Sequence, residues 1–293
     1  MKHLKQVINE IRSLSNDDKP ISNGMLFDLI CYPPKMPLRL HQEQLLEKAE
    51  KQTCSVFDKE FSGKDLKFNV FTWGSGKHKI LLTHGWGSKA SDLSEIIIAL
   101  QDLPNTEIIA FDAPGNGSSQ ADLSNLILYV GAVKEIIAKI GNPDIFIGHS
   151  LGAMANIMSI QSLNVKPSAV ISITPLIRLK ENFIATLNSA NVKPSVQDSF
   201  FEDFEHLFGI EASYFNLNTL YDSNLNFPHL IAYDEYDLVS PYDYLKEFIT
   251  NYSNIQTKSY PLAGHEKILR NQAAIADITD FITKRSQSPL LRG

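Results

Sequence analysis

The sequence predicts an α/β fold: a doubly wound, mostly parallel sheet of about eight strands, with a helical segment inserted into it. Three observations carry this. Short apolar runs recur along the chain, helix-sized segments separate them, and one interval of about fifty residues breaks the alternation. A parallel neighbour strand needs a crossover of a dozen residues or more, which strand–helix alternation supplies. The runs are continuously apolar rather than alternating, so both faces of the sheet are covered.

Residues 1–53 read as an N-terminal helical and extended segment. In "MKHLKQVINEIRSLSNDDKP" the residues Leu4, Val7, Ile8, Ile11 and Leu14 recur at helical spacing. Lys5, Glu10 and Arg12 interrupt them, so the stretch has no apolar region of the kind a secretory signal carries. The stripe suits a helix packed on the body of the protein or on a sister subunit, which makes a homodimer one expectation. Its basic face is thin for a helix lying on a membrane. "CYPPKMPLRL" reads as an extended proline-rich connector and "HQEQLLEKAEK" as a helix by propensity.

The core is expected over residues 54–174 and 227–286. "SVFDKEF" and "LKFNVFTW" predict two strands around a turn at Ser62-Gly63-Lys64-Asp65. Further strands follow at "KILLTHG", "EIIAFDAPG", "DIFIGHS", "AVISITP" and "HLIAYDE", with helices at 90–100, 123–140 and 151–163. Residues 175–226 are far too long for an αβ connection and read as an inserted helical cap. It carries Phe183, Phe200, Phe201, Phe204, Phe208, Tyr214, Phe215 and Tyr221. An insertion over the carboxyl ends of the strands sits where open α/β sheets bind ligands.

At 293 residues, 43% hydrophobic and 20% charged, the composition is that of an ordinary soluble globular protein. The net charge of −6 and the lack of a dense Lys/Arg block argue against nucleic acid as a partner. No run approaches the ~20 apolar residues of a membrane span. Cys31 and Cys54 have no metal-like spacing and no indicated pairing. No metal or cofactor is expected, and a cytoplasmic location is the default.

The chemistry concentrates at "DIFIGHSLGAMANI". Ser150 sits in a G-x-S-x-G pentapeptide between a predicted strand and a predicted helix. That is the context of a nucleophile elbow, in which a sharp turn lifts the hydroxyl clear of the sheet. A serine needs a base. Of eight histidines, His265 in "YPLAGHEKIL" falls at the carboxyl end of the sheet, after a short strand "IQTKSY". His149 suits a structural role, and His229 starts a strand at the opposite end. His3, His41, His78 and His206 lie away from the strand tips. The base needs an acid to hold its tautomer. Asp237 in "HLIAYDEYDLVSP" is preferred and Asp234 is second.

Four segments give the chain its resemblance to the α/β-hydrolase fold superfamily, to capped serine hydrolases of the esterase and lipase kind. They are "LLTHGWGS", "FDAPGNGSS", "GHSLGA" and "AGHEKIL". The resemblance runs over about residues 56–283 and leaves the first fifty-odd uninterpreted. The order Ser150, Asp237, His265 is that of its catalytic triad. The resemblance implies an oxyanion hole from the backbone N–H groups of Trp86 and Leu151, with His84 and Gly85 in the vicinity of the substrate pocket. Asn116 stands where the pattern usually has histidine. Dehalogenases and epoxide hydrolases of this fold carry aspartate at the elbow, and Ser150 argues against both.

The expected function is hydrolysis of a carboxylic ester or related acyl bond in a small, mostly apolar substrate, through an acyl-enzyme. Acyl transfer, perhydrolysis and carbon–carbon bond hydrolysis are alternatives on the same triad. A non-catalytic binding protein of the same fold is the remaining one.

Overall fold

The computed structural model describes residues 2–221, 227–252 and 255–286. The chain opens with α1 (Lys2–Asn16), α2 (Asn23–Cys31) and α3 (Leu40–Glu47). A hairpin of β1 (Glu50–Asp58) and β2 (Lys64–Trp73) follows. Then come β3 (His78–Thr83), α4 (Ser94–Gln101), β4 (Thr106–Asp112), α5 (Leu126–Ile140), β5 (Ile145–His149), α6 (Leu151–Leu163) and β6 (Ala169–Ile173). After an inserted stretch the alternation resumes with β7 (His229–Tyr233), α10 (Tyr242–Asn251), β8 (Ile255–Ser259) and α11 (Gln272–Ser286).

The eight strands form one sheet in the order β1-β2-β4-β3-β5-β6-β7-β8. β2 is antiparallel to β1 and β4, and β3 onward pair in parallel. Every residue of β5, β6 and β7 is buried. Their side chains divide between two cores, as the period of two requires. Leu81, Phe146, Val170 and Ile231 face a core shared with α5, α6 and α10. Ile80, Ile147, Ile171 and Leu230 face one shared with α3, α4 and α11. Among the described residues no helix is long and apolar enough to cross a membrane. Cys31 and Cys54 are both buried and unpaired.

Several boundaries differ from the sequence expectation, α5 among them, which starts at Leu126 rather than 123. β1 starts at Glu50, inside the stretch assigned to the N-terminal segment, because Glu50–Thr53 pair with Thr72–Asn69. That edge is solvent-exposed, so its residues are polar and lack an apolar signal. For the same reason α3 ends at Glu47, short of the eleven-residue helical stretch read there. The hairpin turn lies at 59–63, where both Asp58 carboxylate oxygens accept N–H groups, from Phe61 and Ser62. Lys64 and Asp65 already belong to β2.

The insertion between β6 and β7 holds α7 (Leu179–Ser189), α8 (Pro194–Phe208), a 3₁₀ turn at Ala212–Tyr214 and α9 (Leu217–Leu220). Its last five expected residues, 222–226, lie outside the described residues. α8 begins with proline at its first turn and ends on Gly209 at φ 69°, the pairing that starts and stops a helix cleanly. This helix packs on the N-terminal segment. The rings of Phe27 and Phe200 lie 5.1 Å apart. Ser15 Oγ donates to the Asn191 carbonyl at 2.5 Å, and the Arg12 guanidinium donates to that of Ser189 at 2.7 Å. Lys193 pairs with Asp18. The stripe of α1 is thus spent within the chain, with Val7 and Ile11 buried.

Phe200 is fully buried at this junction, against Phe27, Phe183, Phe201 and Phe204. Phe200→Ala should destabilise the protein by about 3–5 kcal/mol, the cost of an aromatic-sized core cavity. Denaturant unfolding measures it, and a loss below about 1 kcal/mol would mean that the two segments do not share a core.

Candidate active site

The site begins with the turn from β5 into α6. Ser150 has φ 51° and ψ −118°, a region a residue with a Cβ rarely adopts. Backbone bonds hold it there: its N–H donates to the Ile173 carbonyl at 3.0 Å, and its carbonyl accepts from Ala153 and Leu176. The two flanking glycines have a steric cause. A Cβ on Gly148 would lie 2.5 Å from the Ala153 Cα, and one on Gly152 would lie 2.3 Å from the Thr83 carbonyl oxygen. α6 therefore approaches β3 and β5 closely enough to aim its N-terminus at the site.

His265 follows β8 on the loop before a 3₁₀ turn at Lys267–Arg270. Its Nδ1 lies 2.6 Å from Asp237 Oδ2. The other Asp237 oxygen accepts the N–H groups of Val239 and Ser240 at 2.8 and 3.1 Å. Burial alone would raise the Asp237 pKa. The hydrogen bond and charge of His265, with the Ser240 and Val239 donors, outweigh it and hold the carboxyl below its usual range. Asp234 has a different task. Its oxygens accept from Tyr236, Leu262 and Gly264 N–H, bracing the loop that leads to His265.

His149 reaches that loop as well. Its Nε2 donates to the His265 carbonyl at 2.9 Å, with the ring centroids 4.9 Å apart. Burial, helped by the neighbouring His265, lowers its pKa to about 3, so it stays neutral. His229 is buried at the start of β7, near Ser172 Oγ and the Tyr221 hydroxyl. His3, His41, His78 and His206 all lie outside the cavity wall.

Ser150, Leu151, His265 and Trp86 all line one cavity of about 550 Å³. His84 and Gly85 sit behind its wall; a Cβ on Gly85 would be 3.2 Å from that of Ser150. Leu151 is the first residue of α6, so its N–H has no acceptor in the helix. Trp86 N–H likewise finds no acceptor among the described residues. Both are free to serve an incoming oxygen. Asn116 is buried and bridges loops: its Oδ1 accepts from Gly87 N–H at 3.2 Å, and its Nδ2 donates to Pro114 O and Ser124 Oγ.

The cavity wall falls into two groups of neighbouring elements. Leu29 and Ile30 of α2, with Leu179, Phe183, Phe204, Phe208 and Phe215 of the insertion, make an aromatic and aliphatic side. Arg39, Gln42, Ser88, Lys89, Glu266 and Arg270 bring polar groups to the wall, among apolar Met36, Leu38 and Leu269. Four of the insertion's eight aromatics thus face the cavity, while Phe200, Phe201, Tyr214 and Tyr221 pack elsewhere. Sequence reasoning missed the N-terminal contribution altogether. Leu29 to Cys31, Met36 to Arg39 and Gln42 all line the cavity. The one signal for it is "CYPPKMPLRL", an extended strap holding apolar Met36 and Leu38 that no strand or helix pattern claims.

Comparison with known proteins gives the family and the fold. A model of the alpha/beta hydrolase family matches residues 80–253, more than half of the sequence. The chain belongs to the alpha/beta hydrolase family. No curated protein matches it by sequence. Among solved structures it is similar to an esterase of Pyrococcus furiosus, with a TM-score of 0.63 at 15% identity, over 87% of this chain and 98% of that one. An esterase of Thermogutta terrifontis gives 0.56 at 16%, over 80% and 99%. An epoxide hydrolase of Vigna radiata gives 0.56 at 16%, over 82% and 99%. At such identities the likeness is one of fold.

The two aspartates should separate by measurement. Asp237→Asn should cut turnover about 10⁴-fold, the loss expected where an amide replaces the carboxylate that a histidine base leans on. Asp234→Asn should lower stability by about 1–3 kcal/mol and turnover far less, since it braces a loop through backbone bonds. Asp237 has a depressed folded-state pKa, so the stability it contributes is complete above its unfolded value of 3.8 and is lost as pH falls through the folded value. Asp237→Asn should therefore flatten the acid limb of a Tm-against-pH curve.

Proposed function

We propose that this protein is a serine hydrolase that cleaves a carboxylic ester or related acyl bond in a small, mostly apolar substrate. The observation that carries the reading is the 2.6 Å contact between His265 Nδ1 and Asp237 Oδ2, with His265 and Ser150 in one cavity wall. Nδ1 is occupied by the carboxylate, which leaves Nε2 as the nitrogen for the serine proton. Among the described residues Ser150 Oγ makes no hydrogen bond, and contacts of this kind tighten when a substrate is held.

In this reading Ser150 Oγ attacks the acyl carbon while His265 Nε2 takes its proton. Asp237 steadies the imidazolium. The carbonyl oxygen becomes an oxyanion that receives the Trp86 and Leu151 N–H groups, each donor worth roughly 3 kcal/mol in the transition state. Collapse expels the alcohol, which leaves with the proton from His265. Water then repeats the sequence on the acyl-enzyme, releasing the acid and restoring Ser150. An acceptor other than water would make the protein an acyltransferase by the same intermediate.

The aromatic and aliphatic wall residues support an acyl group made of carbon chain or ring, and the polar ones support a leaving group that stays hydrated. The insertion acts as a cap, and the N-terminal segment shares that role. Two buried, unpaired thiols suit a cytoplasmic setting.

Ser150→Ala and His265→Ala should each lower kcat by about 10⁴-fold or more toward p-nitrophenyl esters, and Ser150→Ala should abolish labelling by a fluorophosphonate. Full activity in either variant removes the mechanism. Along a series from acetate to hexanoate, kcat/KM should climb by up to ~0.8 kcal/mol for each methylene buried. A flat or falling series would mean that the aromatic side does not take the acyl chain.

A further inference from the structure

Tyr129 lies on α5, outside the cavity wall, and is completely buried. A buried phenol hydroxyl needs a partner, and this one has a telling choice. It donates to the Gly85 carbonyl at 3.0 Å. The same carbonyl lies 2.7 Å from His84 Nδ1. The Ala113 N–H donates to His84 Nε2 at 3.0 Å, which makes Nε2 the acceptor and puts the ring proton on Nδ1. Gly85 O thus receives two donors at once. Burial raises the Tyr129 pKa and lowers that of His84, so both stay neutral and the arrangement persists across the working pH range.

The carbonyl of Gly85 and the N–H of Trp86 belong to one peptide unit. In a trans peptide they point in opposite directions, so fixing one fixes the other. On the far side of Trp86, Asn116 Oδ1 holds the Gly87 N–H at 3.2 Å. We infer that Tyr129 and Asn116 are positioning residues that clamp the 85–87 loop and so aim the Trp86 N–H at the oxyanion. The inference rests on the serine-hydrolase reading. An oxyanion donor works by being pre-oriented, so a loosened peptide loses transition-state stabilisation rather than substrate binding.

Tyr129→Phe keeps the ring and removes the donor. Active sites are counted with a fluorophosphonate, and turnover of p-nitrophenyl butyrate is expressed per active site. We expect kcat to fall about 10-fold with KM within twofold. Affinity for an aryl trifluoromethyl ketone, which forms a tetrahedral adduct with the serine, should fall by the same factor. Affinity for butyrate, the product, should not change. A tyrosine that merely packs would lower Tm and the count of active sites and leave kcat per site alone. Asn116→Ala should show the same split and carries the test if the Phe variant fails to fold. A kcat within twofold of the parent, or a loss confined to KM, overturns the clamp. A parent protein that neither cleaves esters nor takes the fluorophosphonate overturns the reading of the site, whereas an active parent with an unaffected Tyr129→Phe overturns the clamp alone.

Discussion

A serine held at φ 51° and ψ −118° carries about 1–3 kcal/mol of backbone strain, and that strain has to be met by contacts elsewhere. The turn is bonded to β6 through Ile173 and to the chain beyond it through Leu176. It can form only if α6 seats against β3 and β5, which bars a side chain at Gly148 and Gly152. Those two close approaches set where the helix begins, and therefore where Leu151 N–H and the Ser150 hydroxyl stand. The placement of α6 and the local site geometry follow from one tight corner.

Around that corner the polar groups divide into those that face the cavity and those that hold them. Asp237 addresses His265 directly. Asp234, His149 and Thr174 instead bind the backbone on either side of it, and the last two share the His265 carbonyl. The same division holds on the other wall, where Trp86 faces inward and Tyr129 and Asn116 grip the peptides beside it. A buried group with a full set of partners has one position, which suits chemistry that depends on where donors point.

Much of this was legible in the sequence, for identifiable reasons. The central strands are apolar on both faces and sit between helix-length segments, so their existence and order of type follow from pattern. Gly148 and Gly152 mark the elbow because only glycine tolerates the approach. Asp237 and Asp234 were harder to rank, since each follows the same strand; the distinction lies in loop geometry, with Asp234 turned toward Leu262 and Gly264. Glu50–Thr53 read as helix or linker because an exposed edge strand needs no apolar residues. The cavity role of Leu29, Met36 and Leu38 left no periodic trace, and Tyr129 reads in sequence as one more apolar helix position. What sets it apart is the direction of its hydroxyl, toward the Gly85 carbonyl, which no pattern encodes.

The junction of α1 and α2 with the insertion joins segments far apart in the chain, with hydrogen bonds across it spanning 176–180 residues. Synthesis runs from the N-terminus, so the α2 face that will meet α8 leaves the ribosome long before its partner exists. At 5–20 residues per second that interval is roughly 9–35 s. For that time Phe27 has no Phe200 to pack against. The N-terminal half of that junction is therefore made before β3 to β6, whereas β7, β8 and the His265 loop are made only after α8.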